Sequence, residues 1–470
     1  MNIRRKLRRV LALAALTSCV CAGSLGETLR IYPGPFEWHD GVEAFRQAHP
    51  EVTLEGVPNT EQVFNTSEFV GKLITREYDN DLFMVSSFTI DYRPIMEKGY
   101  CLDLSGSQAL QDAVARMHPV IAQEAFLDGK LLGLPMRVFF DYLVIQPKGW
   151  EAAGYDSEDV PQSYPELLAL LEEVCDRMEG GELENFRVYS GVALTSDEFT
   201  PMTYASYFAT WLLTQYQLQC QLAETLPDFT NPELTGLLER TVDVSRRLYD
   251  LESYLVTPDG DGSLTDYSLI TMGNQQSWPA AHEEILFLRL NDTQPRVVCS
   301  YLEMMMVYTG TQHPDEAIEY LEALAPYGNM QYISAPTLYK DAEPILKPEY
   351  EKTLAIYQER VAAYEARLAQ DDLSRDEREE AEEKLVQAQA DLEEYDTVGK
   401  YAVTQEQIDS LARHVDELAF LYPGPLTAGT EIHIEYVRLE QRFKGEQLDA
   451  CEFLQEVNEL YQRIAREDGS

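Results

Sequence analysis

Two long apolar runs stand out from an otherwise alternating chain. In the first, 136–145, Val138, Phe139, Phe140, Tyr142, Leu143, Val144 and Ile145 follow one another almost without interruption. Such a run reads as a strand buried on both faces, although periodicity alone does not exclude a buried helix. It is entered from Asp128-Gly129, a turn dipeptide because glycine takes the positive φ of a tight reversal, and then from Leu131, Leu132, Leu134 and Pro135. The second run, 297–307, has the same extended pattern. Shorter stretches at 28–32, 52–57 and 81–85 predict three further strands. Between the first two of these, Val42, Phe45 and Ala48 recur at helical spacing and stop at His49-Pro50. Strand, helix and strand in that order predict a parallel sheet.

Helical periods follow at 69–77, 110–126, 167–174, 204–222, 233–249 and 317–324. Ser163 with Glu166 three residues on is a capping-box signature, and Pro165 suits a first helical turn. After about residue 349 the pattern changes. Leu354, Tyr357, Val361, Tyr364 and Leu368 alternate spacings of three and four, and so do Ala381, Leu385, Ala388, Leu392 and Tyr395. Ser374 with Glu377 supplies a capping box between the two segments. The stretch 349–396 is therefore expected to be an antiparallel helical hairpin, either projecting as a coiled coil or laying its seam on the body below. Thr404 with Gln407 caps one more helix through Ile408, Leu411, Val415 and Leu418.

Length and charge narrow the class. With 470 residues, 45% of them hydrophobic, the chain can build two or three domains with sizeable cores. Its formal charge is −44, and the first 23 residues hold five basic side chains (Arg4, Arg5, Lys6, Arg8, Arg9) and no acid, so the remainder is more negative still. That field repels nucleic acid and anionic membranes. The basic stretch, the apolar residues from Val10 and the small residues up to Gly23 form a secretory signal pattern, residues 1–23, too short to span a membrane. Two exits are open: cleavage among the small residues around Val20-Cys21-Ala22, or a lipobox-like Leu16-Thr17-Ser18-Cys19 that would leave Cys19 acylated. A lipid on Cys19 would be the chain's only tie to a membrane. Beyond the signal, Cys101, Cys175, Cys220, Cys299 and Cys451 are scattered, odd in number and without metal-ligand spacing. They are expected to be mostly buried thiols.

Enzyme signatures are weak. His282-Glu283-Glu284 lacks the second histidine of a zinc-protease helix, and neither a Gly-x-Ser-x-Gly elbow nor a phosphate-binding Gly-Lys-Ser/Thr loop occurs. The acidic loop 259–266 has Leu264 where a calcium loop needs glycine and Ile270 where it needs glutamate, so it reads as a turn. No cofactor or metal site is expected. What remains are aromatics at strand ends and in loops: Phe36 and Trp38 after the first strand, Phe88 and Tyr92 after the third, Trp278 between Ser277 and Pro279, and Phe139, Asp141 and Tyr142 on the long run. Ligands of open α/β sheets bind beyond the carboxyl ends of strands, where rings offer an apolar platform and polar groups orient the ligand. Trp38, Phe88, Phe139, Asp141 and Trp278 are the expected ligand-binding residues; a carbohydrate, with C–H faces and hydroxyls, fits them, and peptides and other small organic molecules stay open as alternatives.

Several stretches together resemble the extracellular solute-binding proteins, family 1, of bacterial ABC importers. They are LRIY…VEAFRQAHPEVTLEGV at the start, DLFMVSSFTIDYRPIMEKGYCLDLSGS, then DGKLLGLP with the first apolar run, GWEAAGY…PQSYPELLALLEEV, and PRVVCSYLEMMMVYTGTQHPDEAIEYLEAL. The closing YVRLEQRFKGEQLDACEFLQEVNELYQRIA resembles that family's last helices. The resemblance implies an α/β, two-lobed, periplasmic-binding-protein-like fold (type II) with no enzymatic activity. It also implies a small solute held between the lobes, an ABC permease as partner, and a place outside the cytoplasmic membrane. The expected lobes are 27–136 with 300–345, and 137–299 with 346–470, joined where the two apolar runs cross. The hairpin 349–396 is an insertion about which the resemblance says nothing. A secreted glycoside-active enzyme, and a surface adaptor that uses the hairpin to hold a protein, are the alternatives.

Overall fold

The computed structural model describes residues 27–34, 40–56, 66–75, 77–184, 186–189, 199–252, 267–272, 278–279, 284–291, 293–327, 338–347, 349–370, 373–422 and 431–468. The signal pattern, Cys19, Phe36, Trp38 and the acidic loop 259–266 lie outside them. Among the described residues, no helix is long and apolar enough to cross a membrane.

The expected strand–helix–strand unit forms. Thr28–Tyr32 and Thr53–Gly56 pair in parallel around the helix Asp40–Ala48, and Leu82–Ser86 joins Thr28–Tyr32 on its other side, also in parallel. Val42 and Phe45 bury one face of that helix, as their three-residue spacing requires. Next to Leu82–Ser86, and antiparallel to it, runs the second apolar run as one strand, Val298–Val307. Its early residues also pair in parallel with Leu418–Phe420. On its other edge it pairs antiparallel with the first apolar run, Leu134–Asp141. Both runs are strands, which removes the helix alternative.

The turn at Asp128-Gly129 closes a small hairpin between Phe126–Leu127 and Lys130–Leu131, with φ of 51° and 78° at the two turn residues. Positive φ at both is the primed geometry that matches strand twist. Gly133 then passes so close to the neighbouring strand that a Cβ there would run into the Met304 side chain. Beyond Asp141 only Tyr142 separates this strand from Leu143–Ile145, which belongs to a second sheet with Ile285–Leu286, Tyr267–Met272 and Phe186–Tyr189. The chain thus passes from one sheet to the other across a single residue.

Each sheet has its own core. The first gathers Leu29, Phe83, Phe140, Met304, Tyr320 and their neighbours; the second gathers Leu143, Tyr164, Leu171, Phe208, Leu238, Phe443 and Phe453. This packing departs from the lobe limits expected from sequence: besides residues 137–141 and 404–422, the first core takes Trp278, Ile285, Phe287 and Val298 from the segment 137–299. Residues 137–141 stay in the first sheet, because the strand ends at Asp141 and not at Met136. Residues 404–422 also belong to the first lobe, where Leu411, Val415, Leu418 and Phe420 join its core. The final helices, Glu431–Lys444 and Ala450–Asp468, pack on the second core.

The hairpin forms from Tyr350–Leu368 and Arg375–Glu394, with the full capping box at Ser374 and Glu377. Its base is an antiparallel ribbon, Ile345–Leu346 with Tyr401–Val403. The first arm buries no residue, and among the hydrophobic residues of the second only Ala381 and Ala388 are buried. Its seam is held by Tyr357 stacked on Tyr395 and by Arg360 paired with Asp391. It therefore projects and does not lie on the body. The box expected at Ser163 forms only by half: Ser163 accepts from the Glu166 amide, but the Glu166 carboxylate takes its bond from the Gln162 amide.

Candidate functional site

Alternation along a strand sends successive side chains to opposite faces of a sheet. On Leu134–Asp141 this separates Val138 and Phe140 from Arg137, Phe139 and Asp141. The register with Val298–Val307 sorts the partner strand in the same way. Asp141 faces Cys299, Phe139 faces Tyr301 and Arg137 faces Glu303, while Phe140 faces Ser300 and Val138 faces Leu302. One face of this two-strand ladder is ordinary core: Val138, Phe140, Leu302 and Met304 are 1% exposed or less. The other face carries a guanidinium, two carboxylates, a thiol and two aromatic rings.

Arg137 and Glu303 bind each other through two hydrogen bonds, Nε to Oε2 at 2.8 Å and Nη2 to Oε1 at 2.6 Å. Both side chains are nearly buried, so the pair sits where charge is poorly solvated. Burial pushes the Glu303 carboxyl up; the neighbouring guanidinium pulls it down without cancelling that effect. The Arg137 guanidinium also lies over the Phe139 ring, 3.8 Å from its centroid. Tyr301, beside Phe139, meets the ring of Phe88 edge to face at 5.1 Å. Phe88 follows the strand Leu82–Ser86 and is 54% exposed. The turn that presents it is anchored by Ser87, whose amide donates to the Leu302 carbonyl and whose hydroxyl accepts from the Leu302 amide.

Asp141 stands at the junction of the lobes. It borders a small crevice with Trp211 and Gln215 of the second lobe's helix Thr203–Leu222 and with Cys299 of the first sheet. Burial alone pushes its carboxyl up to about 7. The same burial raises the Cys299 thiol and the Tyr301 hydroxyl. A little further along that helix, Leu218 packs on Cys299, Ala419 and Leu421, and the Gln221 side chain bonds the Phe420 carbonyl and the Tyr422 amide. This helix is the second lobe's bearing surface on the first.

Of the five residues expected to bind ligand, three converge on the polar face: Phe88, Phe139 and Asp141. Trp278 does not join them. It is 1% exposed in the first core, against Phe140 and with its indole N–H donating to Ser410 Oγ. The reason is the alternation itself, because Phe140 and Tyr142, which it packs on, belong to the core-facing set. Trp38 lies outside the described residues. Tyr92 is fully buried and donates to Glu124, a carboxylate that Tyr422 also bonds. Sequence reasoning missed Arg137, Tyr301 and Glu303, although a charged residue two positions from Phe139 and four from Asp141 was a legible signal. Among the described residues, one group that could ligate a metal is found, Glu27 with His313 and Glu316; it lies at the opposite end of the first sheet's strands.

No family model and no curated protein matches the chain. Solved structures do. One, from work on xylan utilization by the thermophilic bacterium Caldanaerobius polysaccharolyticus, is 14% identical with a TM-score of 0.50, over 93% of this chain and all of that one. A de novo designed cysteine esterase is also 14% identical, with a TM-score of 0.52, over 95% of this chain and all of the other. Other structures it is similar to are ABC solute-binding proteins. Among them is a family 1 extracellular solute-binding protein from Bifidobacterium longum subsp. infantis, 11% identical, TM-score 0.49, over 93% of this chain and 98% of that one. At such identities the likeness is one of fold.

Proposed function

We propose that this protein is an extracellular receptor that captures a small solute, a carbohydrate, between its two lobes and delivers it to an ABC importer without converting it. The observation that carries this is the polar and aromatic face of the ladder. A sheet face that served only to pack would be apolar, as the opposite face of the same two strands is. Here rings at Phe88, Phe139 and Tyr301 lie beside Arg137, Glu303 and Asp141, at the place where the chain changes lobe. Rings stack on the C–H faces of a sugar, and fixed polar and charged groups bond its hydroxyls. The one-residue connection at Tyr142 suits a hinge that lets the lobes close on the solute. The xylan-utilization structure supports a saccharide as the class to test first. Fold likeness alone does not exclude catalysis, since a designed esterase shares the architecture.

A thermal-shift screen of the chain lacking residues 1–23 against mono- and oligosaccharides, peptides and polyamines tests the reading. A saccharide that raises Tm and is recovered unchanged supports it. A screen in which only non-saccharides stabilise the protein removes the carbohydrate assignment, and release of new reducing ends would make the protein an enzyme. The exposed hairpin favours a second role, as an arm that holds a protein partner. Deleting it should then abolish that partner's binding while leaving solute affinity intact.

A further inference from the structure

Of the two acids on the polar face, Glu303 is paired with Arg137, whereas Asp141 has no basic partner among the described residues. Arg137 is four residues back along the same strand, roughly 13 Å away at the rise of an extended chain, and its guanidinium is turned to Glu303. No described amide, hydroxyl or guanidinium bonds the Asp141 carboxylate. The connecting stretches 190–198, 253–266, 273–277, 280–283 and 423–430 contain no lysine or arginine, so no strong base comes from them either. The Arg137–Glu303 pair sums to zero, and the polar face is left with one unmatched negative charge.

Aromatic rings surround that charge from both lobes. On the first sheet Phe139 is two residues away on the same face, and the Tyr301 hydroxyl is close enough to feel the carboxylate. From the second lobe, Trp211 shares the crevice with Asp141, and the Tyr189 hydroxyl feels the same carboxylate. The Tyr207 ring is 5.9 Å from that of Tyr189, 41% exposed, and one helical turn from Trp211 on Thr203–Leu222. One of these rings already faces a cation, since Arg137 lies over Phe139.

A neutral solute closed into this place would trap an ionised carboxylate without a counterion, or force it to take up a proton. An ammonium group supplies the missing charge, and the rings add cation–π attraction to it. The charge of −44 on the chain draws cations towards the cleft as well. We propose that the solute is an amino sugar, bound with its amine protonated, and that Asp141 selects it by placing a carboxylate on the ammonium group within walls made by Phe139, Tyr301, Tyr207 and Trp211. This rests on the polar face being the solute site.

The titratable groups about Asp141 are the Cys299 thiol and the Tyr301 hydroxyl on the facing strand, the Tyr189 hydroxyl on the second sheet, and Tyr207 on the helix. Burial raises the first three away from neutrality, whereas it brings the Asp141 carboxyl to about 7. Below that midpoint the carboxyl is mostly protonated, so an amine that binds it must displace the proton.

The test is a calorimetric titration of the chain lacking residues 1–23 with glucosamine, galactosamine and their β-linked disaccharides, each beside its N-acetylated and its all-hydroxyl counterpart. The free amines should bind at least tenfold more tightly than either counterpart. At about pH 6, heats in two buffers of different ionisation enthalpy should show release of close to one proton per amine bound. Asp141→Asn should weaken the amines at least tenfold and abolish the proton release without weakening the counterparts. Neutral or N-acetylated sugars that bind as tightly as the amines would overturn the inference while leaving solute capture intact. Spermidine binding through Asp141 where no saccharide binds would support the cation site and remove the carbohydrate reading. An Asn variant that binds amines like the wild type, or a panel in which no amine binds, would overturn the inference. The comparison of amines with their N-acetylated forms needs only the wild type, so it decides even if the variant fails to fold.

Discussion

Replacing Glu303 by alanine separates a buried charge pair from a merely polar strand position. The wild-type carboxylate meets Arg137 through two bonds of 2.6 and 2.8 Å, and the side chains are 10% and 12% exposed. Removing one partner strands the other charge in a poorly solvated place, which costs about 3–5 kcal/mol. The Arg137 guanidinium keeps its place over the Phe139 ring at 3.8 Å, a contact worth about 1–2 kcal/mol when desolvated. The expected loss therefore falls near the lower limit, about 3 kcal/mol. At a urea m-value of about 3 kcal/mol/M that is a midpoint shift of about 1 M. The double variant Arg137→Met with Glu303→Leu removes both charges and keeps the volume, so it should come within about 1 kcal/mol of wild type or exceed it. Urea unfolding of the two variants, read by circular dichroism, makes the comparison. Equal losses in both would refute the reasoning, because the penalty would then come from shape and not from an orphaned charge.

Other consequences follow from the same geometry. Burial raises the Asp141 carboxyl to about 7, so its contribution to stability is fully present below about pH 4 and fades as pH rises through 7. Asp141→Asn should flatten that fall, which amounts to about 4 kcal/mol at most, and should stabilise the protein at pH 8; a slope unchanged by the substitution contradicts it. Glu252, also raised to about 7, titrates in the same window, so some slope survives in the variant. Phe88→Ala should change stability by less than about 0.5 kcal/mol because the ring is exposed, yet weaken solute binding tenfold or more, as calorimetry would show. Trp278→Ala should do the reverse, with a loss of about 3–5 kcal/mol in stability and the affinity of the folded fraction unchanged. Replacing 350–394 by a short glycine–serine linker should leave both Tm and solute affinity close to wild type, since the hairpin buries almost nothing against the body.

How much of this was legible in the sequence depended on the range of the interaction that decided it. The parallel unit at 28–56, the turn at Asp128-Gly129 and the hairpin with its Ser374–Glu377 box rest on local patterns, and all three form. The two apolar runs were legible as strands, but the residues at which they leave their sheet were not. Only the register shows that the first sheet keeps its strand to Asp141 and that Leu418–Phe420 joins that sheet. The same register decides the site. Phe139 and Asp141 share a face by simple alternation, whereas their company at Tyr301 and Glu303 comes from a strand some 160 residues later in the chain. Trp278 misled for a physical reason: a tryptophan beside proline in a loop looks exposed, and nothing local reveals that Phe140 and Ser410 enclose it.

The central claim is that a solute is held on the polar face and left unchanged. The most direct measurement is a calorimetric titration of the chain lacking residues 1–23 with the oligosaccharide that stabilises it most, wild type beside Phe139→Ala. A single site per chain, weakened at least tenfold by the substitution and with the saccharide recovered intact, is the predicted result. Equal affinity in the two proteins, or a saccharide shortened by the incubation, would contradict it.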